Sequence, residues 1–389
     1  MANSFSRIQV AGFLLSFFMI GVVQALYGPL LGSFMGSMHI SYAQAGSLLG
    51  VHFIGALLGV LAFRPAERHG FNPRLLLRVS LSCMILGSAG VACAPNFFTL
   101  LMADFICGLG FGGIDYGLNY IFSSVFSVRR ATAMLNLLNG CFGVGAIAGP
   151  GLALLVGYSV AGAFLVFSAG CAVCFALLLS LPAIHLVQGG DRPDTDLRHT
   201  LVSVRSIRGI AIVALFLILY IFHVGAETGI GGWGQSYLEW RSYSSESATN
   251  FVMAFWLAMT VSRFLVIPLA KRFSGQLIVG VCLAGMTISL LAPLLHAYDG
   301  VAFVAAGLFI GPIFPTCIPW LKASLEASSG VLSVVIALSM LGGVVFPPLI
   351  GALIANWGFL SIAVVVFVLT LTMFVSYFAL LRTTRVAIR

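Results

Sequence analysis

Twelve apolar runs, most of them about as long as a bilayer core is thick, restrict this chain more than any other feature of its sequence. They fall at about 8–36, 43–63, 74–94, 97–124, 130–157, 160–185, 208–240, 246–268, 275–296, 299–325, 328–355 and 357–383. A helix needs roughly 20 residues to cross the hydrocarbon core. Once there it must satisfy every backbone N–H and C=O within itself, so the runs read as helices. The exterior is equally restricted. Only 8% of the residues are charged, against about 25% in a soluble domain, so lipid must be the solvent over most of the outside. Twelve spans use up most of 389 residues and leave no room for a soluble domain. The first run follows Arg7 and superficially resembles a signal peptide. It lacks a convincing small-residue cleavage site and is long enough to span, so an uncleaved first helix is expected.

Basic residues orient the spans. With the N-terminus in the cytoplasm, Arg7, Arg64, Arg68, Arg74, Arg78, Arg129, Arg130, Arg192, Arg198, Arg205, Arg208, Arg263, Lys271, Arg272, Lys322, Arg382, Arg385 and Arg389 all sort to the cytoplasmic side. Arg241 alone of the nineteen falls outside. This is the positive-inside pattern, and an odd error in the span count would scramble it. Both termini are therefore expected in the cytoplasm. A polar stretch carrying Asp191, Arg192, Pro193, Asp194, Asp196 and Arg198 divides the spans six and six. The expected organisation is a first half at 1–186, a cytoplasmic linker at 187–207 and a second half at 208–389. The fold class is an all-α membrane protein of twelve transmembrane helices in two pseudo-symmetric six-helix halves.

The halves echo each other in their glycines and prolines. Span 4 reads Gly-Leu-Gly-Phe-Gly-Gly-Ile-Asp-Tyr over 108–116, and span 10 reads Gly-Leu-Phe-Ile-Gly-Pro-Ile-Phe-Pro over 307–315. Span 5 has Gly143, Gly145, Gly149 and Pro150, and span 11 has Gly342, Gly343, Pro347 and Pro348. Interruptions at matching positions in two halves point to a transport path.

Several function classes are excluded. The net charge of +8 lies in short gaps and forms no patch for a nucleic acid. Most of the eight cysteines, including the Cys171-x-x-Cys174 pair, sit inside apolar runs as small packing residues. No nucleotide loop, metal cluster or nucleophile–base pair lies in a water-facing segment, so neither an enzyme nor a cofactor or metal site is expected.

Ionisable groups inside a membrane are costly and mark function by default. Asp104, Asp115 and Glu227 lie well inside spans. Eleven residues at 100° each bring Asp104 and Asp115 to within about 20° on one helix face, some 16 Å apart. Asn119 joins that face one turn beyond Asp115. In span 7, His223 and Glu227 are i and i+4 and can meet. Gly225, Gly229, Gly231 and Gly232 are expected to loosen that helix, while Trp233 and Gln235 offer a stacking face and an amide to a polar solute. Gln24 and Tyr27, beside Gly28 and Pro29, are the polar offering of span 1. Asp115, Glu227 and Asp104 are therefore the expected proton-coupling residues. Gln24, Tyr27, Asn119, Asn139, His223, Trp233 and Gln235 are the expected solute-binding ones. His52 reads as a packing residue.

The six-plus-six layout resembles the major facilitator superfamily. Gly59-Val-Leu-Ala-Phe-Arg-Pro-Ala-Glu67-Arg68-His-Gly70-Phe-Asn-Pro-Arg74 is similar to its loop motif between spans 2 and 3, with Glu67-Arg68 where Asp-Arg is usual. The resemblance implies a cytoplasmic charge latch formed by Glu67, Arg68, Arg74, Arg129, Arg130 and, in the second half, Arg263. Gly-Gly-Ile-Asp115-Tyr-Gly-Leu-Asn119, Asn136-Leu-Leu-Asn139-Gly-Cys-Phe-Gly143, Gly225-Ala-Glu227-Thr-Gly-Ile-Gly-Gly-Trp233 and Gly311-Pro-Ile-Phe-Pro315 resemble the fucose:proton symporter-like group. That likeness implies proton coupling and sugar binding at Asp115. Span 1 holds Gln24 and no acid where the fucose symporter has one, and Asn139 stands where many relatives carry a His. The expected function is alternating-access transport of a small polar solute, a sugar, by proton-coupled symport, with sodium as the other candidate ion. A monomer in a bacterial inner membrane is expected. The competing reading is a proton-driven drug or metabolite efflux antiporter, suggested by Gly145-x-x-x-Gly149-Pro150.

Overall fold

Helix starts in this protein are written as short polar caps between apolar runs. In the computed structural model, which describes residues 5–69, 71–125, 128–179, 207–325 and 329–385, Ser6 and Gln9 form a capping box: the Ser6 Oγ accepts from the Gln9 N–H (3.3 Å) and Gln9 Oε1 from the Ser6 N–H (2.9 Å). Ser41 and Gln44 repeat the arrangement before the second helix. Asn72 with Pro73, Asn96 with Thr99, and Ser159, Ser244 and Ser274 begin later helices in the same way. Each cap satisfies a backbone donor that the first turn leaves open.

The helices of residues 1–190 are α1 (Arg7–Met38), α2 (Tyr42–Arg68), α3 (Pro73–Ala92), α4 (Phe97–Val125), α5 (Val128–Leu155) and α6 (Val160–Leu177). Those of residues 191–389 are α7 (Ile207–Trp240), α8 (Ser245–Leu269), α9 (Gly275–Leu294), α10 (Asp299–Ile310), α11 (Ile313–Leu325), α12 (Ser329–Ser339), α13 (Leu341–Trp357) and α14 (Leu360–Arg385). Among the described residues twelve segments are long and apolar enough to cross a membrane. Span 10 is built from α10 and α11, and most of span 11 from α12 and α13. Large apolar side chains such as Leu86, Phe98, Ile288 and Val375 stand exposed on the outside, as a surface solvated by lipid requires. Of the expected linker, residues 187–206 lie outside the described residues.

Each half packs its helices in the same pattern. In the first, α1 runs along α5 and α6, α2 along α4, and α3 along α4 and α6. Each of these pairings recurs six spans later. Span 7 runs along spans 11 and 12, span 8 along span 10, and span 9 along spans 10 and 12. These two six-helix halves are pseudo-symmetric.

Lipid tails are as apolar as leucine, so what holds such helices together is close packing. Glycines provide it. On α2, a Cβ at Gly55 or Gly59 would overlap the Phe105 or Leu109 carbonyl of α4. On α4, a Cβ at Gly108 or Gly112 would overlap the His52 or Ala56 carbonyl of α2. Gly21 of α1 and Gly145 and Gly149 of α5 form the same kind of seam. The expected interruptions at 108–116 and 143–150 are therefore absent: α4 and α5 run unbroken through them, and their glycines serve contact. The second half does break, at Gly311-Pro312 and at Met340. Span 7 also stays helical throughout. Gly225 makes room for Phe346 and Gly231 for Trp256, so these glycines do not loosen the helix.

Basic side chains finish several helices. Arg78 of α3 donates to the Leu178 carbonyl (3.2 Å) and to that of Leu179, just past the end of α6. Arg208 of α7 donates to the Thr383 carbonyl near the end of α14 (3.1 Å from Nε). Both satisfy carbonyls that a helix C-terminus leaves open and sit at its negative pole. Beyond the end of α7, Arg241 Nε donates to Asp299 Oδ2 (2.9 Å) and Arg241 Nη2 to the His296 carbonyl (2.9 Å). The hydrogen bond it donates to Asp299 raises the pKa of the Arg241 guanidinium above its ordinary value. Tyr237 donates toward Asp299 Oδ1 (3.2 Å) and the Pro293 carbonyl (2.9 Å). Asp299 is buried, so Asp299→Ala removes the carboxylate that accepts from Arg241 and leaves Tyr237 with the Pro293 carbonyl alone. The melting temperature of the purified protein should fall by on the order of a few degrees. Glu246→Ala, at an exposed carboxylate, should leave it in place. Equal melting temperatures would mean that the staple carries no stability.

Candidate functional site

Among the described residues, the ionisable side chains inside the spans gather into a few clusters, each within one half. On α4, Asp115 and Asn119 are one turn apart. Asn119 Nδ2 donates to the Asp115 backbone carbonyl (2.8 Å) and lies 3.3 Å from Asp115 Oδ1. Both side chains are half-buried. The helical spacing that placed them on one face is realised as a contact. Asp115 Oδ2 and Asn119 Oδ1 retain hydrogen-bonding capacity toward a ligand.

Asp104 belongs to a different cluster. It is fully buried and faces α1 and α2. The Tyr27 hydroxyl donates to Asp104 Oδ1, and His52 Nδ1 lies 3.0 Å from the same oxygen and 3.0 Å from the Tyr27 hydroxyl. The α2–α4 glycine seam explains how His52 reaches there. Gly108, one turn after Asp104, sits against the His52 carbonyl, so the two backbones meet where the side chains do. His52, read from the sequence as a packing residue, is part of this polar cluster. The signal was present, because a span histidine is as costly as a span acid and Gly108 lies one turn from Asp104. Tyr27, expected to bind solute, is instead committed to this interior network.

In the second half, His223 Nε2 and Glu227 Oε2 are 3.6 Å apart on α7. His223 is buried, with its ring 5.6 Å from that of Phe314. Arg263 of α8 interacts electrostatically with both. Expected at a cytoplasmic latch, Arg263 lies six residues inside the end of α8 at Leu269, about 9 Å along the axis. It joins the Glu227 cluster instead. Its buried Nε has no hydrogen-bond partner among the described residues, and neither has His223 Nδ1.

Other expected residues are placed elsewhere. Trp233 is 0% exposed and its indole N–H donates to the Pro347 carbonyl (3.1 Å). Gln235 is buried, donating to Glu239 Oε1 (3.0 Å) and accepting from Thr249 Oγ1 (3.0 Å). Neither offers the stacking face or amide expected of it, because protein packing takes both. Gln24 is half-buried, and Asn139 is exposed with its amide donating to the Leu135 carbonyl (2.9 Å). Of the expected latch, Arg74 is half-buried, its backbone N–H capped by Asn72 Oδ1 (2.9 Å). The side chains of Glu67, Arg68, Arg129 and Arg130 lie outside the described residues.

Three comparisons give this arrangement a context. The family model described as Major Facilitator Superfamily matches residues 13–325. Bypass of stop codon protein 6 of Saccharomyces cerevisiae is 24% identical over 390 residues, covering 89% of this chain and 77% of its own. Among solved structures, the nucleoside transporter NupG superposes with a TM-score of 0.75 at 13% identity, covering 97% of this chain and 100% of its own. The Escherichia coli fucose:proton symporter FucP superposes with a TM-score of 0.66 at 17% identity, covering 96% and 98%. At such identities the likeness is one of fold.

Proposed function

We propose a transport cycle from one premise: this chain belongs to the Major Facilitator Superfamily. It is an integral membrane transporter with a small-molecule substrate. Our reading of what it carries is a small polyhydroxylated solute, a sugar or a sugar-bearing compound, moved by alternating access and driven by protons. The Asp115–Asn119 pair carries this reading. A half-buried carboxylate beside a half-buried amide in the interior of a span offers acceptors, and a donor as well when the carboxyl group holds a proton. Neighbouring hydroxyls of a sugar need that combination, since each both donates and accepts. The same carboxylate can hold a proton on one side of the membrane and lose it on the other. Glu227, in the second half, and Asp104 are the further acids of this reading. Two relatives in fold carry solutes of this chemistry, since FucP is a fucose:proton symporter and NupG a nucleoside transporter.

The setting we infer is a monomer in a bacterial inner membrane with both termini in the cytoplasm, as the basic residues sort. The test is uptake of labelled monosaccharides and nucleosides into vesicles carrying the purified protein, under an imposed proton gradient or an imposed sodium gradient. Accumulation under the proton gradient, abolished by a protonophore and weakened in Glu227→Gln, is the expected result. Accumulation under sodium alone would replace the ion. No sugar or nucleoside uptake, with proton-driven extrusion of lipophilic drugs instead, would replace the reading by efflux. The Gly145-x-x-x-Gly149 pair that first suggested efflux forms the α1–α5 seam, which accounts for it as packing.

A further inference from the structure

The Tyr27, His52 and Asp104 side chains come from three helices and meet at three polar atoms within hydrogen-bond reach of one another. The enclosure is tight. The three residues are 2%, 1% and 0% exposed. The rings of Phe34 and Phe164 pack on Tyr27, and that of Phe111 on His52. Among the described residues, the other titratable groups that interact with the cluster are thiols. Cys107 of α4 interacts with both Tyr27 and Asp104, Cys83 of α3 with Cys107, and Cys171 of α6 also with Cys107. A thiol carries no positive charge with which to offset a carboxylate. Two buried atoms of the cluster, Asp104 Oδ2 and His52 Nε2, have no hydrogen-bond partner among the described residues.

Charge counting then limits the cluster to one arrangement of protons. Ionised Asp104 beside neutral His52 encloses an uncompensated negative charge. Neutral Asp104 beside protonated His52 encloses an uncompensated positive one. Either costs several kcal/mol or more. One proton shared between the pair leaves the cluster neutral overall, whichever of the two atoms holds it.

We propose that Tyr27, His52 and Asp104 form an occluded one-proton site in the first half, distinct from Asp115, in which a single proton is held between Asp104 Oδ1 and His52 Nδ1. Its transfer breaks the bond to one atom as the bond to the other forms. Tyr27 keeps its own proton and acts as a positioning residue, donating to Asp104. Asp104 Oδ2 and His52 Nε2 are where water would attach when the enclosure opens and the proton is exchanged. This assignment rests on the reading of Asp104 as a proton carrier, but its test needs no solute.

The experiment is infrared spectroscopy of the purified protein in lipid across a pH series, for wild type, His52→Gln, Asp104→Asn and the His52→Gln/Asp104→Asn pair. With His52 gone, Asp104 must hold the proton alone. His52→Gln should carry the C=O band of a buried protonated carboxylic acid that the double variant lacks, and that band should differ in position or intensity from wild type, where His52 shares the proton. Tyr27→Phe, which keeps the ring packing, should move the band by removing one hydrogen bond. Identical spectra for His52→Gln and the double variant would overturn the proposal, and so would the same C=O band in wild type and His52→Gln. Should His52→Gln not purify, His52→Asn against His52→Asn/Asp104→Asn makes the same comparison, and a shared spectrum overturns it equally. A failure of the coupling reading would look different: vesicles in which solute movement ignores the proton gradient while Asp104 still titrates with His52.

Discussion

Replacing Gly112 with leucine will leave little folded protein to purify. A Cβ at this position would sit within overlap distance of three backbone atoms of Ala56: its carbonyl oxygen, carbonyl carbon and Cα. Backbone cannot rotate out of the way as a side-chain tip can. The helices would have to separate, and the seam they share is reciprocal, with Gly55 and Gly59 on α2 seated against α4 and Gly108 and Gly112 on α4 seated against α2. Extra methylenes in a packed core cost about 1–3 kcal/mol where side chains can adjust. Here the adjustment is loss of a helix pair, out of a total stability of about 5–15 kcal/mol. The measurement is size-exclusion chromatography of fluorescently tagged protein from solubilised membranes. Gly32→Leu and Gly36→Leu are the controls, because a Cβ there meets nothing within 4 Å. A monodisperse Gly112→Leu peak as high as the controls would mean that the α2–α4 crossing is not required for the fold.

Asp115→Asn should separate coupling from movement. Asparagine has nearly the volume of aspartate and retains hydrogen-bonding groups, so the contact with Asn119 and the binding of a polyhydroxylated solute survive. What it cannot do is take up and release a proton. Concentrative uptake under a proton gradient should fall to simple equilibration, while exchange of labelled for unlabelled solute, which needs no net proton movement, should continue at a substantial fraction of the wild-type rate. The two assays on one vesicle preparation decide it. Full accumulation in Asp115→Asn would remove Asp115 from the coupling mechanism. Loss of both activities in a well-folded variant would make it a solute-binding residue alone.

What could be read from the sequence is what lies along one helix. The twelve spans, their division six and six, and the contacts between Asp115 and Asn119 and between His223 and Glu227 all follow from length or from i, i+4 spacing. What depends on which helices touch, and at what register, was not legible. Tyr27, His52 and Asp104 meet because three helices cross at one depth, and no local pattern announces that. Trp233 and Gln235 were expected to offer a stacking face and an amide to a solute, yet the sequence of one helix cannot say what covers its side chains. Here Pro347, Glu239 and Thr249 take their polar atoms. Arg263 was sorted with the loop charges because basic residues usually lie there. Its partners on α7 place it in the interior. The glycines were misread in a similar way, since the same residue that permits bending also permits contact, and only the neighbouring helix decides between them.

The uneven interruption of the spans has a mechanical meaning. In span 10, Pro312 lacks the N–H that would bond the Leu308 carbonyl, and in span 11 Met340 bonds back three residues to Ala337 (3.2 Å) where a regular turn would reach four. Their counterparts α4 and α5 each run as one helix, α4 with an unbroken ladder and α5 lacking only the bond that Pro150 cannot donate. A continuous helix resists bending because curvature must stretch its hydrogen bonds, whereas an interrupted one bends at the joint. Displacement imposed at one end of α4 therefore reaches the other end, while displacement imposed on span 10 is absorbed partway. Alike in topology, the halves differ in compliance: span 4 acts as a lever, where spans 10 and 11 each contain a flexure.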